Sequence, residues 1–226
     1  MSAIASALGD VRARIERACA ACGRDAAQVK LVAVSKTKPA DAVREAYAAG
    51  QRAFGESYAQ ELETKASALG DLAAVEWHFI GHLQSNKAKL VARAAHVVHT
   101  IDGAALAREL GRRALAAGRA PVPVMIEVNI GGEPQKHGVR ASEIADVMDA
   151  VRAQPGLALR GLMTMPPADD LEAARRVFST LGSLRSLHGG EAALRELSMG
   201  MSHDLEIAIA CGATIVRVGT AVFGAR

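Results

Sequence analysis

"KLVAVSKTKP", residues 30–39, reads as a short apolar strand that ends in a lysine. Lys36 carries a strongly hydrated charge, and at the lip of a buried strand such a group needs either water or a task. Strand ends meet solvent, so a lysine just past Leu31-Val32-Ala33-Val34 is ordinarily a solvated cap. The rest of the chain decides between the cap and the task.

A chain of 226 residues is long for one domain of ordinary size, yet it suits a single α/β barrel over residues 1–226. A formal charge of +3 is too small and too dispersed for a nucleic-acid surface. No apolar run approaches the ~20 residues of a membrane helix. "MSAIASALGDVRARIERACAACG" has no clean apolar core after a basic start and does not read as a signal peptide. A cytoplasmic protein is expected. Cys19 and Cys22 form a C-x-x-C late in an amphipathic helix carrying Ile4, Leu8, Val11, Ile15, Ala18 and Cys22 on its apolar side. With no second cysteine pair and no preceding strand, they read as small buried packing residues.

Short apolar strands alternate with helical stretches along the whole chain. The strands fall at 30–35, 52–55, 77–81, 96–101, 122–130, 158–164, 196–199 and 214–219. Pro39 opens one helix and Gly50 follows it; Asp102 can cap the next, closed by Gly118. Asp170 can cap a helix carrying Val177, Phe178, Leu181 and Leu184, and Ser202 the last interior one, ended by Gly212. The pattern predicts a (β/α)8 TIM barrel with an extra N-terminal helix. A doubly wound open sheet is the rival, but eight strands in so few residues favour closure.

Such barrels work at the C-terminal ends of their strands, and Lys36 ends the first. The other ends supply Glu56 and Ser57, His82, Asn129, Met163 and Met165, then "SMGMS" at 198–202 and "RVGTAVFG" at 217–224. Barrels commonly bind phosphate in the loops after strands seven and eight. There Gly200 allows a close backbone approach, Ser202 starts a helix, and Gly219 and Thr220 offer an N–H pair and a hydroxyl. If Val216 and Val218 face the helices, Arg217 points into the barrel, toward a ligand or toward a carboxylate such as Glu127. Lysine, phosphate cradle and arginine together suggest a phosphorylated aldehyde joined to Lys36 as a Schiff base. His78 and His82 lie four apart across a strand end and lack an evident third ligand, so no metal site is expected. His137 either lines the mouth or is a solvated loop residue.

Eight segments, in order, carry a resemblance: "VAVSKTKP", "FGESY", "WHFIGHLQSNK", "HTID", "VNIGGEPQKHG", "RGLMTMP", "LSMGMSHDLEIAI" and "VRVGTAVFGAR". The chain resembles the pyridoxal 5′-phosphate homeostasis proteins (the YggS/PROSC family), whose fold is that of the alanine racemase barrel domain. The resemblance implies that Lys36 holds pyridoxal 5′-phosphate as a Schiff base. It implies further that Ser202, Gly219 and Thr220 cradle the phosphate, that Arg217 meets the pyridine nitrogen, and that Ser57 and Met199 are also cofactor-binding positions. The family usually reads "FGENY"; here Ser57 replaces the asparagine, and a contact from position 57 is expected to be lost or to run through water.

An arginine cannot accept the pyridine proton, which leaves the ring a weak electron sink. Racemases with such an arginine use a tyrosine from a second domain, and the sequence given ends at Arg226, directly after the barrel. Tyr47, on the apolar face of a helix, does not replace that tyrosine, and Tyr58 is a weak candidate. The expected function is therefore a non-catalytic carrier that stores, buffers or delivers the cofactor, with apo-enzymes as recipients and a monomeric state. The alternative is a pyridoxal-phosphate-dependent amino-acid racemase; a cofactor-free Schiff-base aldolase is a third reading.

Overall fold

Eight apolar runs of three to seven residues hydrogen-bond to one another in chain order, and the last returns to the first. In the computed structural model, which describes residues 2–119, 121–133, 136–167 and 170–225, the strands are β1 (Lys30–Val34), β2 (Ala53–Glu56), β3 (Glu76–Phe79), β4 (Val97–Ile101), β5 (Val122–Glu127), β6 (Leu157–Met163), β7 (Glu196–Ser198) and β8 (Ile215–Val218). Every pairing is parallel, and β1 pairs with β8 in the register Val32–Arg217 and Ala33–Val218, which closes the barrel.

The helices are α1 (Ala3–Ala21), α2 (Ala40–Ala48), α3 (Ala59–Ala68), α4 (Ala88–Ala94), α5 (Ala104–Ala116), α6 (Ile144–Arg152), α7 (Leu171–Leu187), α8 (Gly190–Ala193), α9 (Leu205–Ala210) and α10 (Thr220–Phe223). The two-residue period of a strand sends alternate side chains inward and outward. Val32, Ala53, Val97, Met125, Met163 and Ile215 form a small cluster inside the barrel. The larger core, with Phe54, Phe79, Leu162, Leu197 and Val216, lies where strands meet helices.

All eight strands and the extra N-terminal helix match the sequence reading. The helix is capped by Ser2, whose Oγ accepts from Ala5 N at 3.2 Å, and it buries Leu8, Val11, Ile15 and Cys19. Cys22 is exposed rather than buried, because α1 ends one residue before it. Pro39 precedes α2, and the Asp170 carboxylate caps α7 through Ala173 N at 2.8 Å. Two caps differ. Gly103, not Asp102, stands at the start of α5, and the Asp102 carboxylate turns to His82 instead. Asp204, not Ser202, precedes α9, and the Ser202 hydroxyl turns to the Ala221 N–H in the first turn of α10 instead.

Candidate cofactor site

Lys36 lies in the turn after β1, two residues beyond Val34. The turn is held from outside the barrel. Ser35 Oγ donates to Glu56 Oε1 at 2.6 Å, and Lys65 Nζ donates to Ser35 O at 2.6 Å, Glu56 Oε1 at 2.8 Å and Glu61 Oε1 at 2.7 Å. Glu61 Oε1 also accepts the Thr37 N–H at 2.6 Å, and Thr37 adopts φ +64°, a conformation that a β-branched residue holds only when its surroundings impose it. Glu56, taken from sequence as a strand-end group at the mouth, thus faces away from the barrel axis and is fully buried. Burial pushes its carboxyl up, against the hydrogen bonds from Lys65 and Ser35.

The β8 tip stands beside the β1 tip. A Cβ on Gly219 would lie 3.4 Å from Val34 Cβ and Val34 O, at van der Waals contact, so the two tips are immediate neighbours. Beyond it, Ser202 Oγ accepts from Thr220 Oγ1 at 3.0 Å and from Ala221 N at 3.4 Å. Two hydroxyls and a backbone N–H therefore cluster next to the lysine turn, a set that can give hydrogens to phosphate oxygens. Arg14 of the extra helix braces this turn, donating from Nη2 to Ser202 O at 2.9 Å and pairing with Glu206 at 2.7 Å.

Arg217 points into the barrel and is 4% exposed. Its Nη1 donates to Ser198 Oγ at 2.6 Å and its Nη2 to Thr164 O at 3.1 Å. The salt bridge to Glu127 weighed from sequence is not among these bonds; Glu127 acts on Arg217 only through its field. Burial lowers Arg217 to about 10, still cationic at neutral pH. Burial raises Glu127 to about 7, with the Asp102 charge adding to the effect, and Glu127 Oε2 is buried without a hydrogen-bond partner.

Ser57 is half-buried and, with Tyr58, His82 and Lys87, lines a cavity of about 200 Å³ at the β2–β3 edge. Met199 is fully buried in the core outside the barrel, and its N–H is given to Ile215 O at 3.1 Å. Met163 is sealed inside the barrel, and Asn129 Nδ2 is spent on Glu133 O and Lys136 O. Tyr47 donates to Ala73 O at 2.7 Å. A cavity of about 650 Å³ lies at the opposite end, among Lys30, Glu76, Glu196 and Ile215, far from the strand tips that carry Lys36.

His78 and His82 do not meet. His78 is inside the barrel on His99, whereas His82 is at the mouth, 3.3 Å from Asp102 and stacked on His137 with ring centroids 3.6 Å apart and planes 8° from parallel. Parallel stacking puts the nitrogen lone pairs of the two rings in separate planes. A shared ion would sit well out of both, so the cluster as arranged does not aim its ligands at one metal.

Sequence reasoning missed His99, Ser198, Thr164, Lys65 and Glu61. A signal existed for the first two: a histidine in "VVHTI" and a serine in "ELS" sit at inward-facing positions of buried strands, where a polar side chain must find a partner.

A closed parallel barrel with a lysine at the first strand tip, a hydroxyl cluster at the seventh and eighth, and an inward arginine defines a class, and residues 7–226 match the family model of the alanine racemase N-terminal domain. An alanine racemase from Corynebacterium glutamicum shares that fold with a TM-score of 0.65 at 22% identity, over 99% of this chain and 61% of the racemase. Within the class, the chain belongs to the pyridoxal phosphate homeostasis protein family. It is 48% identical to the pyridoxal phosphate homeostasis protein of Pseudomonas aeruginosa over 100% of this chain and 97% of that protein. It is 43% identical to that of Escherichia coli over 100% and 98%. The PipY structure of Synechococcus elongatus with PLP bound is 36% identical, with a TM-score of 0.82 over 98% of this chain and 100% of that one.

Proposed function

We propose that this protein binds pyridoxal 5′-phosphate on Lys36 and holds it for storage, buffering or delivery to apo-enzymes in the cytoplasm. The observation that carries the reading is the meeting of the β1 and β8 tips, which sets the lysine turn beside the Ser202–Thr220–Ala221 cluster with Arg217 below. The residues suit the cofactor. Lys36 supplies the amine for its aldehyde, the hydroxyls and N–H groups suit its phosphate, and Arg217 suits its ring nitrogen. Bound there, the cofactor supplies an electron sink whose strength depends on protonation of that nitrogen. Arg217 has only hydrogens to give, so it satisfies the nitrogen without protonating it. That favours holding the cofactor over carbanion chemistry, and the names of the relatives agree with it. No helix among the described residues is long and apolar enough to cross a membrane.

Titration with pyridoxal 5′-phosphate tests the reading. Wild-type protein is expected to develop the near-ultraviolet and visible bands of a lysine-bound cofactor at one equivalent, and Lys36→Ala to develop none. A Lys36→Ala protein that develops the same bands would place the amine elsewhere.

A further inference from the structure

Below Arg217 a file of buried side chains crosses the barrel to its far end. Arg217 Nη1 donates to Ser198 Oγ at 2.6 Å; Ser198 Oγ lies 2.8 Å from His99 Nδ1; His99 Nε2 lies 2.8 Å from His78 Nδ1. His78 Nε2 faces Glu76 Oε2 at 3.5 Å without a hydrogen bond, and Glu76 pairs with Lys30 at 2.8 Å. Ser198, His78 and His99 are fully buried.

The two ends of the file choose its direction. A guanidinium only donates, so Ser198 Oγ accepts from Arg217 and has one hydrogen of its own to place. His99 Nδ1 is the acceptor within reach. With that nitrogen bare, the His99 hydrogen sits on Nε2 and is given to His78 Nδ1, and the His78 hydrogen sits on Nε2, toward the Glu76 carboxylate. The opposite polarity leaves the serine hydrogen without an acceptor among the described residues and turns a bare nitrogen toward a carboxylate. Both faults are costly in a buried site. Burial also holds His99 well below its ordinary range, in keeping with a neutral ring beside an arginine.

We propose that Ser198, His99 and His78 form a one-way hydrogen-bond chain, running toward the Glu76 carboxylate on the barrel floor, that positions Arg217 for the ring end of the bound ligand. With Nη1 tied to the chain and Nη2 to Thr164 O, the guanidinium is held in one orientation and its remaining N–H groups are fixed. Ser198 and His99 are thus positioning residues, a role that rests on the reading of Arg217 as the contact of the cofactor's ring nitrogen.

Two measurements test this. In apo protein labelled with ¹⁵N-histidine, long-range ¹H–¹⁵N correlation is expected to show His78 and His99 both as the Nε2–H tautomer. The Nδ1–H form at either ring overturns the chain, whether or not the protein binds the cofactor. In Ser198→Ala, His99 should lose that single tautomer and pyridoxal 5′-phosphate should bind about tenfold more weakly. Ser198→Thr, which keeps the hydroxyl, should restore both. Wild-type affinity in Ser198→Ala overturns the positioning role. Failure of wild-type protein to bind pyridoxal 5′-phosphate would count against the proposed function and against Arg217 as a ring contact, while the tautomers still decide the chain.

Discussion

Glu127 is an acid whose surroundings delay its ionisation to about neutral pH. Its carboxyl is raised to about 7 by burial and by the nearby Asp102 charge, against about 4.3 in an unfolded chain. Between those values the native state holds a proton that the unfolded state has released, so this group's contribution to stability falls as pH rises through that window. Glu127→Gln cannot ionise. Its melting temperature relative to wild type should therefore rise between pH 5 and pH 8, and a difference that stays flat across that range contradicts the assignment. The hydroxyls of Ser202 and Thr220 make a second residue-scale prediction, by titration of pyridoxal beside pyridoxal 5′-phosphate. Losing two hydrogen bonds to a charged phosphate costs about 3 kcal/mol or more, over a hundredfold in affinity. Equal affinities would rule out the cradle. Among single residues, Lys36 and Arg217 were legible because a charge at the lip of an apolar strand, or inside one, demands an explanation. Ser202 was legible as a hydroxyl at the strand tips but not as to its partners, since glycine–serine turns look alike whether they cap a helix or face a ligand.

At the scale of elements, the turn that carries Lys36 depends on β2 and α3. Lys65, 5% exposed, pairs with Glu56 and Glu61 and donates to Ser35 O, while Glu61 accepts the Thr37 N–H. Replacing it with the similarly shaped Lys65→Met leaves the buried Glu56 carboxylate without its cation, a change worth about 3–5 kcal/mol. Urea unfolding should show that loss, and the double variant Glu56→Gln/Lys65→Met should recover much of it. A Lys65→Met protein as stable as wild type would show that the triad does not hold the turn. Sequence placed β1 and β2 within a residue or two but did not single out α3, and it put Glu56 at the mouth. In a four-residue strand the face is set by register against neighbours, here Gly55 inward between Val32 and Val34, and no local pattern in "AFGE" announces it. The Asp102 cap failed for a related reason, because Gly103 intervenes and the carboxylate finds His82 across the mouth.

For the whole molecule, closure was legible because eight apolar runs in the rhythm of strand and helix leave little other way to cover their edges. The file from Arg217 to Glu76 was not, since it joins β8, β7, β4 and β3 and exists only once the barrel is closed. The carrier reading also belongs to this scale. Holo protein incubated with L- or D-alanine in deuterated water should show negligible exchange of the α-proton, and the same preparation should reactivate an apo-enzyme that needs pyridoxal 5′-phosphate. Rapid exchange that scales with protein and vanishes in Lys36→Ala would favour the racemase reading instead. The central claim, that Lys36 holds the cofactor, has a direct measurement: borohydride reduction of the protein saturated with pyridoxal 5′-phosphate, followed by peptide mapping. The account predicts one pyridoxyl group per chain, on the peptide bearing Lys36 and absent from Lys36→Ala. Label on Lys38 or Lys136 instead, with Lys36→Ala still labelled, would contradict it.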